Sequence, residues 1–344
     1  LMLTPDGGGA SGMGRRAGYD QDLGRFRERL LAAGLRDTLA AAGVRLVREE
    51  ERQREVLRCG TPLADAGCGV VVRYLYQVGR ARTPEQVFAQ ILAGFEMASS
   101  DPRIVGFNLV QPEDNPVAMR DYSMQMGMID FLHDLYPLVK ITLHAGELAP
   151  GLVPPEGLRF HIREAIERGH ASRIGHGVDV MHEDRPLELL EEMARRGVLV
   201  EIALSSNDVI LGVRGPRHPL SAYMHYGVPV ALATDDEGVS RSEMSMEYLK
   251  AAEEQGVGYS ALKRMARNSL EYAFVEGESL WSDRRAFTLR GECAAAGGGL
   301  QSSACAALAE RSTKARLQLE LERAFPIFES EYAAIEATDT VRGR

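Results

Sequence analysis

The sequence predicts an α/β protein, a (β/α)8 barrel of the TIM type that lacks its first strand. Short apolar segments alternate with amphipathic helical segments at a spacing of roughly 30 residues, as in parallel α/β proteins. Six of these segments have the length and composition of buried strands, and Leu1–Leu3 resembles the end of a seventh. A doubly wound open sheet is the alternative fold with the same alternation.

The composition excludes several functional classes. The chain has 344 residues, of which 45% are hydrophobic, so it can bury a large core. The formal net charge is −9, and no basic stripe is visible, which argues against a nucleic-acid partner. The apolar segments have the length of strands, so we expect no transmembrane helix and no membrane partner.

The first residues do not resemble the start of a protein. Leu1 is not a methionine, and Leu1–Asp6 resembles a strand that runs into a turn. We therefore expect the sequence to be part of a longer protein, whose other residues would carry any targeting signal. The compartment, cytoplasmic or exported, is left open.

Residues 6–18 are rich in glycine, and three of these glycines match the G-x-G-x-x-G pattern of dinucleotide sites. That pattern binds a dinucleotide only between a full strand and a helix that follows at once, and helical periodicity begins here some residues later. We therefore expect a flexible loop. A helix is predicted over 21–42, followed by a solvated helical face over 48–58.

Strands and helices then follow in regular order. Thr83-Pro84 and Asn115-Pro116 are helix starts, because a capping side chain precedes a proline in the first turn. The predicted strands cover residues 69–76, 103–109, 139–143, 172–176, 198–204 and 228–234. The predicted helices begin at Thr83 and Asn115 and cover residues 158–168, 187–196, 219–226, 242–254 and 260–274.

The C-terminal part differs in composition. Residues 285–310 contain low-complexity segments rich in alanine and glycine, and we expect a mobile insertion there. Residues 311–337 are predicted to form a helix that packs against the barrel. The chain, residues 1–344, is then a single domain whose barrel core lies at about 69–275.

The cysteine pattern is uninformative about metal binding. Cys59, Cys68, Cys293 and Cys305 show no C-x-x-C spacing, so neither a zinc site nor a dense disulfide framework is predicted. Four unpaired thiols are the preferred interpretation, and two disulfides are the alternative.

Side chains that could carry chemistry follow three predicted strands at the point where each strand ends. His144 and Glu147 follow the third strand, and His176 ends the fourth. Asp235 and Asp236 end the sixth. In a barrel the carboxyl ends of all strands meet on one face, where catalytic residues lie. Imidazole and carboxylate groups can hold a divalent cation that acidifies a water, and Glu147 is placed to donate a proton.

Each of these residues has a plainer interpretation when it is taken alone. A histidine at a strand end is often a structural residue, Glu147 could be a solvated loop residue, and Asp235-Asp236 could cap the next helix. Their coincidence at three strand ends favours a functional site. No G-x-S-x-G turn is present, so a serine hydrolase that uses Ser205 or Ser206 is not expected.

Four motifs, LHAGE, RIGHGVD, EIALSSN and ATDD, occur in this order between residues 143 and 236. They resemble the metal-dependent adenosine/AMP deaminases, a family of (β/α)8 barrels of the metal-dependent hydrolase kind, and the resemblance covers about residues 69–275. The segment NLVQPEDN and the pair His218-Pro219 favour the branch that contains the adenosine deaminase-related growth factors. The resemblance implies a small-molecule partner, a purine nucleoside, with adenosine converted to inosine and ammonia.

The resemblance also implies a role for each residue at the strand ends. His144 and Asp235 correspond to ligands of the catalytic metal, a zinc ion. Glu147 corresponds to the carboxyl group that protonates the purine nitrogen N1, and His176 to the imidazole that activates the metal-bound water. Asp236 corresponds to the residue that hydrogen-bonds the purine nitrogen N7.

The sequence departs from the family in one respect. Family members carry an H-x-H pair of metal ligands at the end of the first strand, and this chain contains no H-x-H. Because a catalytic zinc typically has three protein ligands, we expect this chain to bind zinc poorly. Another amine, such as a modified adenine or an adenosine phosphate, is an alternative substrate. A non-catalytic barrel that retains purine binding or a growth-factor-like role is the alternative function; the oligomeric state is not predicted.

Overall fold

The structure, a computed structural model, describes residues 9–342 and the side chains of residues 9–332. The strand predicted at Leu1–Leu3 lies outside the described residues. The chain forms two compact units, Leu1–Gly258 and Tyr259–Arg344, and each is described by itself. The single domain over residues 1–344 stays a prediction.

Six parallel strands form the centre of the first unit, as predicted. Strand β1 pairs with β2, strands β3 to β6 pair in sequence order, and a parallel bridge from Phe107 to Ile141 connects the two sets. Neighbouring strands therefore follow the chain without the reversal of order that a doubly wound sheet requires. The strands are β1 (Tyr74–Gly79), β2 (Ile104–Val110), β3 (Thr142–Ala145), β4 (Arg173–His176), β5 (Leu199–Ile202) and β6 (Val230–Leu232).

Helices follow the strands and cover the sheet, which confirms the α/β class. Asn115 accepts a hydrogen bond from the Val117 amide at the helix start, as its capping role predicts. None of the described helices has the length and apolar composition that a membrane span requires. The helices of this unit are α1 (Ala10–Ala17), α2 (Leu23–Ala32), α3 (Leu35–Val56), α4 (Pro84–Ser100), α5 (Pro116–Leu135), α6 (His161–Glu167), α7 (Pro186–Arg196), α8 (Leu204–Leu211), α9 (Leu220–His225), α10 (Glu237–Ser240) and α11 (Met244–Glu253).

Part of the core of this unit lies between the sheet and helix α4. Val87, Ile91 and Phe95 occupy one face of that helix, as their spacing predicts, and all three are fully buried. The ring centroids of Phe95 and Phe107 on strand β2 are 4.8 Å apart. Burial of each large apolar side chain contributes about 1.5–3 kcal/mol, so this contact fixes the helix on strands β1 and β2.

The prediction of a flexible loop over residues 6–18 is wrong for the described residues 9–18, because helix α1 forms there. Its two glycines lower the intrinsic helix propensity, which explains the prediction. Tertiary packing overrides that propensity, because Gly14 lies directly on helix α4. A Cβ atom at Gly14 would come within 2.1 Å of the Glu85 carbonyl oxygen. Ala10 and Met13 are buried beside it.

Two of the differences between predicted and observed boundaries are large. The helix predicted over 21–42 is divided into α2 and α3 between Ala32 and Leu35. The first strand begins at Tyr74 rather than Gly69, because a 3-10 turn occupies Ala66–Gly69. This turn contains Cys68, which forms a disulfide with Cys59.

The second unit is more ordered than its composition predicts. It contains helices α12 (Tyr259–Glu271), α13 (Ser303–Arg311) and α14 (Thr313–Arg342) and the antiparallel strands β7 (Trp281–Asp283) and β8 (Thr288–Leu289). The mobile insertion predicted at 285–310 is wrong, because Phe287, Cys293 and Leu308 from this segment lie in a buried apolar cluster with Trp281. The predicted C-terminal helix is present as α14.

Both pairs of cysteines form disulfides, Cys59–Cys68 and Cys293–Cys305, so the preference for four thiols is wrong. The partners are separated by 9 and 12 residues, spacings that match no metal motif. Pairing depends on the distance between the two residues in the folded chain, which their spacing in the sequence does not reveal.

Candidate active site

Two histidines meet where strands β3 and β4 end. The strands are parallel neighbours, with His144 opposite Gly175 and Ala145 opposite His176. The two imidazole rings are 4.5 Å apart between centroids and inclined at 66°. The carboxyl ends of adjacent strands therefore bring both imidazoles to one edge of the sheet, as the sequence predicts.

Glu147 completes this group. Its Oε2 atom lies 3.1 Å from His144 Nε2, and its Oε1 atom lies 3.5 Å from His176 Nδ1. The side chain is buried, and Oε1 has no hydrogen-bond partner among the described residues. Burial favours the neutral carboxyl group, but the hydrogen bond from His144 and the nearby imidazoles outweigh it and lower the pKa of Glu147.

Asn207 contacts the His176 ring, and His218 in turn contacts Asn207. Asn207 Nδ2 lies 3.0 Å from His176 Nδ1, and Asn207 Oδ1 lies 3.2 Å from His218 Nε2. Burial and the neighbouring His176 lower the pKa of His218 to about 4, so His218 is neutral near pH 7. His176 has a φ angle of +72°, a left-handed conformation that few residues other than glycine adopt.

Asp235 and Asp236 follow strand β6 on the same edge but are exposed. Asp235 has a φ angle of +54°, and its Oδ2 atom accepts a hydrogen bond of 2.8 Å from Ser206 Oγ. Asp236 occupies the N-cap position of helix α10, yet its side chain makes no capping hydrogen bond. Burial and the charges of Asp235 and Glu147 raise the pKa of Asp236.

The sequence-predicted residues are thus brought together only in part. The ligand atoms of His144, Glu147 and His176 all lie within 4.8 Å of one another, the only such group of three or more among the described residues. Asp235 is not in that group. The roles assigned to His144, Glu147, His176, Asp235 and Asp236 stay predictions.

The donor chemistry of the group fits a divalent cation. Two imidazoles and one carboxylate are a ligand set that zinc accepts, although the family resemblance assigns only His144 of this group to the metal. His144 Nδ1 faces the guanidinium group of Arg80, so Nε2 is the nitrogen that points towards Glu147. A cation held by His144 would therefore be bound through Nε2.

Two buried charged residues beneath the site, Arg80 and Glu113, were missed by the sequence analysis. Glu113 accepts hydrogen bonds from the backbone amides of Gly146 and Glu147. Its own burial opposes ionisation, but the nearby His144 imidazole, the hydrogen bond from His161 and the charge of Arg80 lower its pKa well below the ordinary value. Both residues follow strand ends, Arg80 after β1 and Glu113 after β2. The rule that identified the other residues could therefore have found these two.

Comparison with known proteins defines the class to which this fold and site belong. A family model described as "Adenosine deaminase" matches residues 49–281, which is more than half of the chain. The protein belongs to the adenosine deaminase family, which confirms the resemblance. Its assignment to the branch of the growth factors stays a prediction.

Individual relatives are similar over part of their length. The chain is 30% identical to an adenine deaminase of Rhizobium leguminosarum bv. trifolii over 213 residues, 61% of this chain and 60% of that protein. It is 35% identical to an adenosine deaminase of Shewanella loihica over 136 residues, 39% of this chain and 38% of the relative. Among solved structures, the arabidopsis N6-mAMP deaminase MAPDA has a TM-score of 0.47 at 26% identity, with 60% of this chain and 55% of that chain covered.

Proposed function

We propose that the protein catalyses hydrolytic deamination of a 6-aminopurine, with adenosine as the expected substrate. The observation that carries the proposal is the His144–Glu147–His176 group at the ends of adjacent parallel strands. Adenine is the second substrate to test, because curated relatives bear the names adenine deaminase and adenosine deaminase.

Glu147 is proposed to protonate the purine. Because the pKa of Glu147 is lowered in the free site, Glu147 must take up a proton when the purine binds. Transfer of that proton to N1 makes C6 electron-poor, so that a water oxygen can add there. His176, on the other side of Glu147, accepts the proton that the water loses. His176 then gives its proton to the amino group as the C6–N bond breaks, so that this group leaves as ammonia. The hydroxyl proton at C6 returns to Glu147, and the product is the 6-oxopurine with a proton on N1.

Asp236 is proposed to bind the purine ring. The nitrogen N7 is a hydrogen-bond acceptor, so only a protonated carboxyl group can donate to it. Burial and the charges of Asp235 and Glu147 shift the pKa of Asp236 upwards, which is the direction that this role requires.

His144 and Asp235 are the proposed ligands of a divalent cation, with Glu147 and His176 left for proton transfer. Such a cation, when bound, would lower the pKa of a water from about 15.7 to about 7. Ser206 holds Asp235 by its 2.8 Å hydrogen bond. The strand pairing of β3 holds His144.

The direct test measures product formation by the purified protein with excess zinc. Adenosine, adenine and AMP are supplied separately, and ammonia is measured together with inosine, hypoxanthine or IMP. We expect inosine and ammonia in equal amounts from adenosine. A folded, zinc-supplied protein that releases ammonia from none of these substrates would contradict the proposal. Purine binding by calorimetry without turnover would instead favour the non-catalytic barrel.

The Glu147→Gln variant tests the proton donor. Glutamine keeps the shape and can still accept a hydrogen bond from His144, but it cannot supply a proton. We expect the turnover number to fall by about 10²–10⁴-fold with zinc content unchanged. Glu156→Gln, at an exposed position of the same loop, is the matched control and should retain full activity. Equal activity of the two variants would refute the role of Glu147.

A further inference from the structure

Arg80 is a fully buried arginine that joins the ends of three strands. Its Nε atom donates to the Gln111 carbonyl oxygen at 3.0 Å, just after strand β2. Its Nη1 atom donates to the His144 carbonyl oxygen at 2.8 Å, and Nη2 contacts His144 Nδ1. A buried guanidinium group is stable only with such acceptors. Two of the acceptors belong to His144, so the backbone and the ring of this residue are held by one group.

Glu113 is the buried partner of Arg80, with its Oε2 atom 3.9 Å from Arg80 Nη2. Its two oxygens accept hydrogen bonds from the amides of Gly146 and Glu147 at 3.0 and 2.9 Å. Oε1 also lies 2.6 Å from His161 Nδ1. One carboxylate therefore fixes two successive peptide units of the turn that carries Glu147.

The residues that Arg80 and Glu113 contact distinguish this pair from an ordinary structural ion pair. Arg80 holds the residue at the start of the turn, His144, and Glu113 holds the residues at its end. Their hydrogen bonds go to backbone atoms, to the His161 ring and to His144 Nδ1, which is the ring nitrogen on the side away from Glu147. A displacement of about 1 Å in a reacting group can reduce the rate of a reaction about 100-fold.

We propose that Arg80 and Glu113 are positioning residues for the deamination, in which Arg80 orients the His144 ring and Glu113 orients Glu147. The catalytic part of this inference rests on the proposed function. The positioning itself can be measured without turnover.

The Glu113→Gln variant of the full chain tests the proposal. Glutamine offers one acceptor oxygen, without charge, where the carboxylate offers two. We expect the amide proton signals of Gly146 and Glu147 to move upfield and their hydrogen exchange to accelerate. With adenosine and excess zinc, we expect kcat to fall about 10- to 100-fold, while KM changes less than about twofold.

Glu183→Gln is the matched control. Glu183 is also buried and also accepts a backbone hydrogen bond, from the Ile162 amide at 2.6 Å, but makes no contact with the turn. This variant should shift the Ile162 signal, leave the Gly146 and Glu147 signals in place and retain the wild-type kcat. Equal kcat in Glu113→Gln and wild type, or unchanged turn signals, would overturn the proposal.

Arg80→Lys keeps the charge and covers the case in which Glu113→Gln does not fold. One ammonium group cannot reach the Gln111 oxygen, the His144 oxygen and the His144 ring together, so the ring nitrogen signals of His144 and kcat should both change. Wild-type values of both would overturn the proposal. If even the wild type releases no ammonia, the proposed function fails, and the turn and ring signals alone decide whether the pair positions the site.

Discussion

Replacement of Gly146 by alanine should lower the free energy of unfolding by about 2–5 kcal/mol, because two costs add. Gly146 has a φ angle of +80°, and a left-handed conformation costs an alanine about 1–2 kcal/mol. The added Cβ atom would also lie 2.7 Å from Asp179 Oδ1 and 2.8 Å from Ile162 Cδ1. Overpacking of this kind costs about 1–3 kcal/mol, since both neighbours are buried.

Gly151→Ala separates the two costs. Gly151 lies on the same loop with a φ angle of +90°. Apart from its chain neighbours, no atom of the described residues lies within 4 Å of the position its Cβ would occupy. This variant should lose only the conformational part, about 1–2 kcal/mol. Urea denaturation of both variants, with equal m-values, gives the difference, which should be about 1–3 kcal/mol. Equal midpoints for the two variants would refute the close packing assigned to Gly146.

Three further predictions concern pH, disulfides and zinc. Burial raises the pKa of Glu183 to about 7 from the ordinary 4.5, so its stabilising contribution is complete below about pH 4.5 and is lost as the pH rises through 7. The free energy of unfolding should therefore fall with pH across this range, by at most about 1.4 kcal/mol per pH unit. Denaturation of the Glu183→Gln variant at several pH values should show that this fall is absent. The Cys293–Cys305 disulfide closes a short loop of 12-residue separation. Replacement of both cysteines by serine should destabilise the second unit by about 3 kcal/mol in thermal unfolding. An unchanged melting temperature would argue against the pairing. After gel filtration in zinc-free buffer, elemental analysis should find well under one zinc ion per chain. The reason is that only two ligands, His144 and Asp235, are assigned, whereas a catalytic zinc typically has three protein ligands. A stoichiometric zinc content would contradict that ligand assignment.

The strands and their ends were predictable because both depend on local patterns. A buried parallel strand requires a short run of apolar residues, and each of the six predicted runs overlaps one of the six parallel strands. The polar residues after strands β3 and β4 were predictable for the same reason. Their meeting follows from strand order, which places the ends of β3 and β4 side by side.

The features that escaped prediction depend on contacts between distant segments. Helix α1 forms on a glycine-rich sequence because Gly14 fits closely against helix α4. The second unit orders a low-complexity segment around the Cys293–Cys305 disulfide and the Trp281 side chain. Arg80 and Glu113 follow strands β1 and β2, so the strand-end rule could have identified them as site residues. Their burial was not predictable, because charged residues are rarely buried and these two depend on partners from other segments.

The left-handed backbone conformation at His176 and Asp235 limits the residue types that these two positions accept without strain. Glycine, asparagine, aspartate and histidine tolerate this conformation, whereas β-branched and bulky residues are strained by it. Most substitutions at these positions therefore change activity for two reasons at once, because they strain the backbone and also replace the functional group. Asparagine tolerates the left-handed conformation, so His176→Asn and Asp235→Asn replace the functional group without straining the backbone. The loss of activity in these two variants then reports the role of the functional group alone.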